Sequence, residues 1–302
     1  MTGPWTVLGV PIDSIGAPGG GAPVGTELAP RTLRDLGVVA RLGALDTGDV
    51  QARITGPLRD EVTGLVGGET VAATTTAIRR RTTELLADGA RPLLLGGCCA
   101  LLPGALAAAR DVLGPVGLVH VDGHLDLYDH RTSPTGEAAD LPVAWLLGVG
   151  EPGLLAATSP APVLDPRDLI VLGARDADER RDVTGLVERF AVRHVPPDDI
   201  ARDPAGTASA AADAVTATRA GTGRFWLHLD VDVLDEGEFP ATDYLMPGGL
   251  RLDDLRDLLR PLGHDPRIVG FSLGCYNPDK DPDGRYAAVL CDLLVDALGP
   301  TT

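Results

Sequence analysis

Aromatic and basic residues are scarce in this 302-residue sequence, and their scarcity excludes several classes of protein. Phe, Trp and Tyr together make up 4% of the chain, and 26 basic residues face 43 acidic ones, which gives a formal net charge of -17. A chain this acidic repels nucleic acids and anionic membrane surfaces. We therefore expect neither a nucleic acid nor a membrane as its partner.

Long apolar runs and a secretion signal are also missing. No stretch approaches the roughly 18 consecutive apolar residues of a membrane span, and the first residues lack a basic segment followed by an apolar one. The four cysteines, two of them adjacent at Cys98 and Cys99, make a poor disulfide framework for a chain of this length. We expect a cytoplasmic protein with reduced thiols.

Apolar strands alternate with helical segments along the whole chain. The 44% of hydrophobic residues suffices for a sizeable core. Strands are predicted over residues 5–10, 92–95, 116–120, 169–173, 192–195, 225–229 and 268–273. Helices are predicted over residues 26–36, 71–86, 100–113, 141–147, 205–220, 253–262 and 286–298, and a polar turn over 46–49. This alternation, without a linker or repeat, predicts one α/β domain over 1–302 with a doubly wound parallel sheet.

Two strands end in closely spaced ligand-type residues. Asp122, His124 and Asp126 follow the strand 116–120 at alternate positions, so their side chains leave on one face. Asp230 and Asp232 repeat the pattern after the strand 225–229. Either motif alone is also typical of a polar turn. Because open α/β sheets bind ligands at the carboxyl ends of their strands, and because only cations offset repulsion among four close carboxylates, the pair predicts a metal site.

Glycines follow two further strands. The loop 16–21 invites a phosphate-binding interpretation, but it lacks the Lys-Ser/Thr of a nucleotide-binding loop and the spacing of a dinucleotide fingerprint. After the strand 92–95, Gly96 and Gly97 permit close backbone approach and precede Cys98 and Cys99. A free cysteine is more often a small core residue than a ligand. The position of Cys99 at a strand end favours a ligand here.

These motifs resemble those of the ureohydrolases, the family of arginase, agmatinase and their relatives. Residues 122–126, D-G-H-L-D, are similar to the family's D-A-H-x-D, and residues 229–235 with 247–250 are similar to its S-x-D-x-D-x-x-D-P and trailing P-x-G-G-L. Residues 96–99, G-G-C-C, stand where the family has G-G-D-H, and residues 277–278 match its N-P. The resemblance implies a three-layer α/β fold, a two-manganese cluster, a small-molecule substrate and a homo-oligomer.

Carried over by position, the resemblance implies six metal ligands: Cys99, Asp122, His124, Asp126, Asp230 and Asp232. Asp122 and Asp230 would bridge two divalent ions. Asp126 with Cys99 would complete one ion's shell, and His124 with Asp232 the other's. A water shared by the ions would attack an amidine or guanidine carbon as hydroxide, and Asp126 would relay its proton. A guanidine would then release urea.

Four positions depart from the family pattern. Cys99 replaces a histidine ligand, so we expect zinc or iron to compete with manganese. At this position the chain most resembles a subgroup with G-G-D-C, which includes an N-hydroxyarginine hydrolase of antibiotic biosynthesis. Cys98 replaces the preceding Asp. Cys275 replaces the glutamate that grips the substrate guanidinium in arginase, and Ala139 replaces a loop histidine. Without that glutamate, we expect a less basic substrate, such as a hydroxyguanidine or a neutral amidine.

Further loop residues are candidates for the remaining roles. We assign Glu137 a catalytic role beside Asp126. Four residues are assigned to substrate binding, namely Asp129, Asp243, Cys275 and Asp279. Loop carboxylates of this kind are more often simply solvated.

Three other hypotheses remain open from the sequence. An enzyme of the same fold would hydrolyse another amide or imine. A binding or structural subunit would keep the fold with a degraded cluster, an interpretation that Cys98, Ala139 and Cys275 support. Finally, Cys99 and Cys275 would form a reversible disulfide if their Cα atoms lay within about 7 Å.

Overall fold

Eight parallel strands form the centre of the protein. The computed structural model describes residues 3–14, 25–52, 58–177, 183–217 and 222–300. The strands are β1 (Trp5–Val10), β2 (Leu45–Asp49), β3 (Arg91–Gly96), β4 (Gly117–Val121), β5 (Leu169–Leu172), β6 (Arg193–Val195), β7 (Phe225–Asp230) and β8 (Ile268–Gly274). They lie in the order β2-β1-β3-β8-β7-β4-β5-β6, and every pair is parallel. The prediction of a parallel α/β domain is confirmed.

Helices cover the sheet. They are α1 (Ala29–Asp35), α2 (Val38–Leu42), α3 (Gly68–Ala87), α4 (Leu102–Leu113), α5 (Pro142–Leu146), α6 (Pro152–Ala157), α7 (Leu186–Phe190), α8 (Pro197–Arg202), α9 (Pro204–Thr216), α10 (Leu252–Gly263) and α11 (Arg285–Leu298). One set, α3 to α6, packs together, and a second set joins α9, α10 and α11 to α1 and α2. None of the helices in the described ranges is long and apolar enough to cross a membrane.

Burial explains which strands the sequence reveals. All residues of β4, β5, β7 and β8 are buried, as expected of parallel strands that are covered on both faces. The edge strand β2 is mostly exposed. The prediction of a polar turn over 46–49 is therefore wrong, because an edge strand needs no apolar residues. Its carboxylates instead pair with Arg34, whose guanidinium nitrogens lie 2.9 Å from Asp46 and 2.5 Å from Asp49.

Other sequence predictions have mixed outcomes. The helix predicted over 26–36 is a short 3-10 turn, Thr26–Leu28, followed by α1, and α2 starts after Gly37, whose φ is 80°. The glycine-rich loop 16–21 lies outside the described residues, as do the last positions of the helix predicted over 205–220. The short helices α6, α7 and α8 were not predicted, because five or six residues carry too little periodicity.

The loop after β3 fits tightly against the end of β1 and the loop after β8. The backbone N–H of Cys98 donates to the carbonyl of Ile12 at 2.8 Å, and that of Cys275 donates to the carbonyl of Gly97 at 2.6 Å. A Cβ added at Gly97 would lie 1.9 Å from the Ile12 carbonyl oxygen, so glycine is required there. These contacts hold the loops that follow β3 and β8 side by side.

Gly97→Ala is expected to lower the free energy of unfolding by about 2 to 3 kcal/mol, because the added methyl group meets backbone that cannot move aside. Gly150→Ala is the matched control, since a Cβ there would meet nothing nearer than Leu155 at 3.7 Å and the backbone needs no positive φ. Denaturant unfolding of both variants measures the difference. Equal midpoints would show that the close approach at Gly97 carries no energetic weight.

Candidate metal centre

Ligand-type side chains converge at the carboxyl ends of four neighbouring strands. Cys99 follows β3, Cys275 follows β8, Asp230 ends β7, and Asp122 follows β4. In the sheet these strands are adjacent in the order β3-β8-β7-β4. Residues that lie more than 170 positions apart in sequence, such as Cys99 and Cys275, therefore face one another across about one strand spacing.

Four groups of potential ligands overlap at this edge. In each group the ligand atoms lie within 4.8 Å of one another: Cys99 with Asp230 and Cys275; Cys99 with Asp122 and His228; His120 with Asp122 and Asp126; and Asp122 with His124 and Asp232. All six ligands predicted from the sequence are present, and Asp122 occurs in three groups. Cys99 and Asp126, which were expected to share one ion, fall in separate groups. Cys275, predicted to bind substrate, lies beside Cys99 and also lines the cleft described below.

Backbone hydrogen bonds orient the carboxylates. Oδ1 of Asp122 accepts the N–H of His124 at 2.7 Å, and Oδ1 of Asp230 accepts the N–H of Asp232 at 2.9 Å. Each of these side chains has its second oxygen, Oδ2, directed at other ligand atoms. Asp232 in turn accepts the N–H of Gly123 at 3.1 Å through Oδ1, and its Oδ2 lies 3.1 Å from Nδ1 of His124. In each of these carboxylates, one oxygen thus accepts a backbone hydrogen bond that orients the side chain, and the other oxygen faces the neighbouring ligand atoms.

Two buried histidines, His120 and His228, belong to the cluster although sequence analysis did not select them. Nε2 of His120 lies 3.0 Å from Oδ2 of Asp122 and 3.4 Å from Oδ2 of Asp126. Nε2 of His228 lies 3.2 Å from Sγ of Cys99, and the two imidazole rings stack at 5.1 Å. Each histidine stands two positions before a predicted ligand, so extending the alternate spacing back into the strand would have found them.

Two cluster residues have a left-handed backbone. The φ of Asp126 is 51° and that of Cys275 is 66°, a region that residues other than glycine seldom adopt. Such conformations cost of order 1 kcal/mol or more each and concentrate at functional sites. At Asp126 the conformation is held by α5, because its carbonyl accepts the N–H groups of Val143 and Ala144 at 3.1 and 3.2 Å.

Burial perturbs the carboxyl groups and thiols of the cluster. It raises the pKa of Asp126 to about 7, an effect that the charge of Asp122 reinforces. The pKa of Asp230 lies well above its ordinary value because of burial and the charges of Asp232 and Asp122. Burial, followed by the contact with Cys275, likewise raises the pKa of the Cys99 thiol. These groups hold protons unless a cation replaces them.

The pKa values of the histidines near Asp122 are raised, whereas burial alone would lower them. Burial, the largest single effect, would lower the pKa of His120, but the charges and hydrogen bonds of Asp122 and Asp126 together outweigh it and raise that pKa to about 10. For His124, Asp232 and Asp122 together likewise outweigh burial and raise the pKa. His228 is different, since burial and the charge of His120 lower its pKa to about 3. Protonated His120 and His124 thus supply positive charge that a bound cation would otherwise supply.

The donor set fits divalent cations. Within the described part of the chain, neither ring nitrogen of His120 nor Oδ2 of Asp126 makes a hydrogen bond of acceptable geometry, although all three atoms are buried. Buried polar atoms without a partner are costly, and a cation among them would remove that cost. Carboxylate, imidazole and thiolate together match first-row divalent metals.

A small cleft opens onto the cluster. Its volume is about 240 Å³. It is lined by His124, Asp126, Tyr128, Pro134, Thr135, Ala139, Asp140, Asp176, Asp230, Asp232, Tyr244, Met246 and Cys275. Among the described residues that form this lining there is neither lysine nor arginine, and burial raises the pKa of Asp176 to about 7. Cys99 and Asp122 lie beneath the cleft rather than in its wall.

The remaining predicted site residues lie away from this cleft or behind its wall. Glu137 is 2% exposed and accepts a hydrogen bond from the hydroxyl of Tyr244, which does line the cleft. Asp129 accepts hydrogen bonds from its own loop, at 2.9 Å from the backbone N–H groups of 131 and 132. Asp243 lies 2.7 Å from Nζ of Lys280, and Asp279 is an exposed residue at the start of a 3-10 turn.

Comparisons with known proteins agree with this geometry. Residues 4–299 match the model of the Arginase family. The chain belongs to the arginase family. An arginase of Brevibacillus brevis is 26% identical over 299 residues, which cover 97% of each chain. The native structure of Bacillus caldovelox arginase superimposes with a TM-score of 0.88 at 23% identity over 99% of both chains.

A relative with another substrate shares the fold. The proclavaminate amidino hydrolase of Streptomyces clavuligerus has a TM-score of 0.67 at 22% identity, over 98% of this chain and 90% of that one. Members of the arginase family are metal-dependent hydrolases of C–N bonds in amidino groups, commonly with a pair of metal ions. The prediction of a metal-dependent hydrolase of this class is confirmed, as is the arginase-like three-layer fold.

Metal uptake is expected to weaken as pH falls from about 8 to about 6, because a bound cation must displace protons from its ligands. The pKa of Asp126 is about 7, so the site without metal gains a proton there as the pH falls through this range, whereas His120, with a pKa of about 10, is protonated throughout it. Affinity should fall by up to about tenfold per pH unit for each proton displaced. Calorimetric titration with Mn²⁺ in buffers of different ionisation enthalpy measures both quantities. A constant affinity without proton release would contradict the assignment.

Proposed function

We propose that this protein hydrolyses a C–N bond of a small, weakly basic amidine, with a hydroxyguanidine as the favoured substrate class. The observation that carries the proposal is the convergence of Asp122, His124, Asp126, Asp230 and Asp232 at a cleft of about 240 Å³, whose wall includes all of them but Asp122. Two divalent cations held by these residues would supply a water of lowered pKa and positive charge beside the reacting carbon.

Asp126 is suited to the proton transfers of such a reaction. Its carboxylate would accept a proton from the attacking water and release it again to a departing amine, and without bound metal its pKa is about 7. Its side chain lines the cleft, and its main chain is fixed by α5. We assign Asp126 the general base and acid role.

The cleft wall supports a substrate that is less basic than a free guanidinium. Cys275, a thiol with a raised pKa, stands where a carboxylate would pair with the cation. Burial also raises the pKa values of Asp140 and Asp176, so these walls carry less negative charge than their composition suggests. Tyr244, held by Glu137, offers its ring and hydroxyl to the substrate. Glu137 would therefore position Tyr244 and not contact the substrate itself.

The finer assignments follow from the same residues. Manganese suits the oxygen-rich side around Asp232, whereas Cys99 favours zinc or iron. Cys99 also supports placing the chain in the G-G-D-C subgroup, and hence a role in secondary metabolism. The other loop residues, Asp129, Asp243 and Asp279, would contact only a substrate that extends beyond the cleft.

Asp232→Ala is expected to reduce amidine hydrolysis by at least about 100-fold, because the variant loses both an ion contact and the carboxylate that faces His124. Asp88→Ala, which removes an exposed carboxylate at the end of α3, is the matched control and should retain full activity. Urea and ammonia release are measured for both after metal loading. Undiminished turnover by the Asp232 variant would overturn the proposal.

Weakly basic substrates should be preferred over arginine by about tenfold or more in kcat/KM, because a charge-assisted pairing with the guanidinium is missing at Cys275. A panel of arginine, agmatine, N-hydroxyarginine and a formimino compound tests this preference by urea and ammonia release. Ammonia without urea from every active compound would instead favour hydrolysis of an imine or amide. A preference for arginine would contradict the inference that Cys275 leaves the guanidinium without a charge partner.

A further inference from the structure

Two cysteines face each other at the buried end of the cluster. Sγ of Cys99 lies 3.6 Å from Sγ of Cys275, and both thiols are free. A disulfide would need about 2.05 Å between the sulfurs. Two sulfurs that bind one zinc ion at about 2.3 Å with tetrahedral angles are about 3.8 Å apart. The observed spacing is close to that of two thiolates that share an ion.

A carboxylate completes a three-donor set around this pair. Oδ2 of Asp230 lies 2.7 Å from Sγ of Cys99, and ligand atoms of Asp230, Cys99 and Cys275 all lie within 4.8 Å of one another. Asp230 and Cys275 also line the cleft. Three protein donors with one side open to a cleft are the arrangement found in catalytic zinc sites.

A glycine stands next to the two sulfurs. Gly274 ends β8, and a Cβ added there would lie 3.1 Å from Sγ of Cys99 and 3.5 Å from Cε1 of His228. Any other residue at this position would crowd the Cys99 sulfur. The adjacent Cys275 has a left-handed φ of 66°.

A chain of hydrogen bonds supports a thiolate at Cys99. Nε1–H of Trp226 donates to Oγ of Ser272 at 3.0 Å, and that hydroxyl lies 2.7 Å from Nδ1 of His228. With the Ser272 hydroxyl donating to Nδ1, the proton of the neutral imidazole resides on Nε2, which lies 3.2 Å from Sγ of Cys99. His228 then donates a hydrogen bond to the sulfur, an outer contact of the type that tunes metal ligands.

We propose that Cys99, Cys275 and Asp230 form a sulfur-rich position that selects zinc, next to an oxygen-rich position around Asp122, His124 and Asp232 that accepts manganese. This inference rests on the proposed function only in placing both ions in one cluster. Two thiolates are soft ligands and favour Zn²⁺ over Mn²⁺, whereas carboxylates with a single imidazole discriminate less. Each chain should therefore hold two different metals, and Cys275 is a metal ligand and not a substrate contact.

Cobalt is the probe for the sulfur-rich position, because thiolate bound to Co²⁺ gives a charge-transfer absorption in the near ultraviolet. Full-length protein is stripped with chelator under reductant and titrated with Co²⁺. The absorption should fall by about half in Cys99→Ser and in Cys275→Ser and vanish in the double variant, since intensity follows the number of thiolate ligands. Both variants should also lose zinc, but not manganese, when loaded with an equimolar mixture.

Cys98→Ser and Cys291→Ser are the matched controls. Both cysteines are buried, but Cys98 contacts Ser14 and Cys291 contacts the carbonyl of Leu33, so neither belongs to the group of three donors. Their spectra should equal that of the unaltered protein. A spectrum that Cys275→Ser leaves unchanged, or no charge-transfer absorption at all, would overturn the proposal.

X-ray absorption of the unaltered, zinc-loaded protein tests the site without any variant. Two sulfur neighbours at about 2.3 Å are expected, and one or none would overturn the assignment even if the cysteine variants failed to fold. Both readouts are independent of turnover. Failure to hydrolyse any amidine would contradict the proposed function but not this metal site. A single sulfur neighbour in an active hydrolase would contradict the metal site but not the proposed function.

Discussion

Mutual repulsion among carboxylates that are shielded from water is the constraint on which this protein depends. Asp122, Asp126, Asp230 and Asp232 are each at most 7% exposed, and their ligand atoms crowd into one edge of the sheet. Burial and like charge raise the pKa values of Asp126 and Asp230, so in the absence of a cation the cluster keeps protons that carboxylates normally lose. Histidine charge offsets part of the repulsion, and cations would offset it more completely.

The fold meets this constraint by arrangement of its strands. Parallel strands direct all their carboxyl ends to one edge, and crossover helices leave that edge open. Because β8 and β7 lie between β3 and β4, residues from the first third and last tenth of the chain become neighbours. Close backbone contacts at Gly97 and Gly274 then set the separation of the side chains to within the reach of metal coordination. These two glycines therefore affect both the packing of the strand ends and the placement of the metal-binding side chains.

The sequence was informative where one local rule decides the structure. Buried strands appeared as apolar runs. Five of the six expected ligands followed from alternate spacing at strand ends, and Cys99 from its place after the glycines that follow a strand. The rule failed at β2, which is polar because it lies at an edge of the sheet. Extended back into β4 and β7, the same spacing would have selected His120 and His228. The register that sets these two residues directly opposite each other is a property of the sheet, and no spacing within one strand contains it.

Loop carboxylates were hardest to place. Asp129 and Asp243 are of the residue type that binds cationic groups, but each is occupied by neighbours, Asp129 by its own turn and Asp243 by Lys280 and Asn277. Local hydrogen bonding of this kind depends on loop conformation, which apolar periodicity does not encode. Glu137 similarly faces Tyr244, a residue more than 100 positions away.

The hydrogen bonds from Trp226 through Ser272 and His228 to Cys99 begin inside the hydrophobic core. Trp226 and Ser272 are fully buried, and neither is among the residues that line the cleft. Evolution of this enzyme toward a new metal or substrate is therefore tied to residues that usually change only for packing reasons. Directed evolution confined to the residues of the cleft wall would leave the hydrogen bonding of the Cys99 sulfur unchanged. A single substitution at Ser272 would change that hydrogen bonding without altering any residue of the cleft wall.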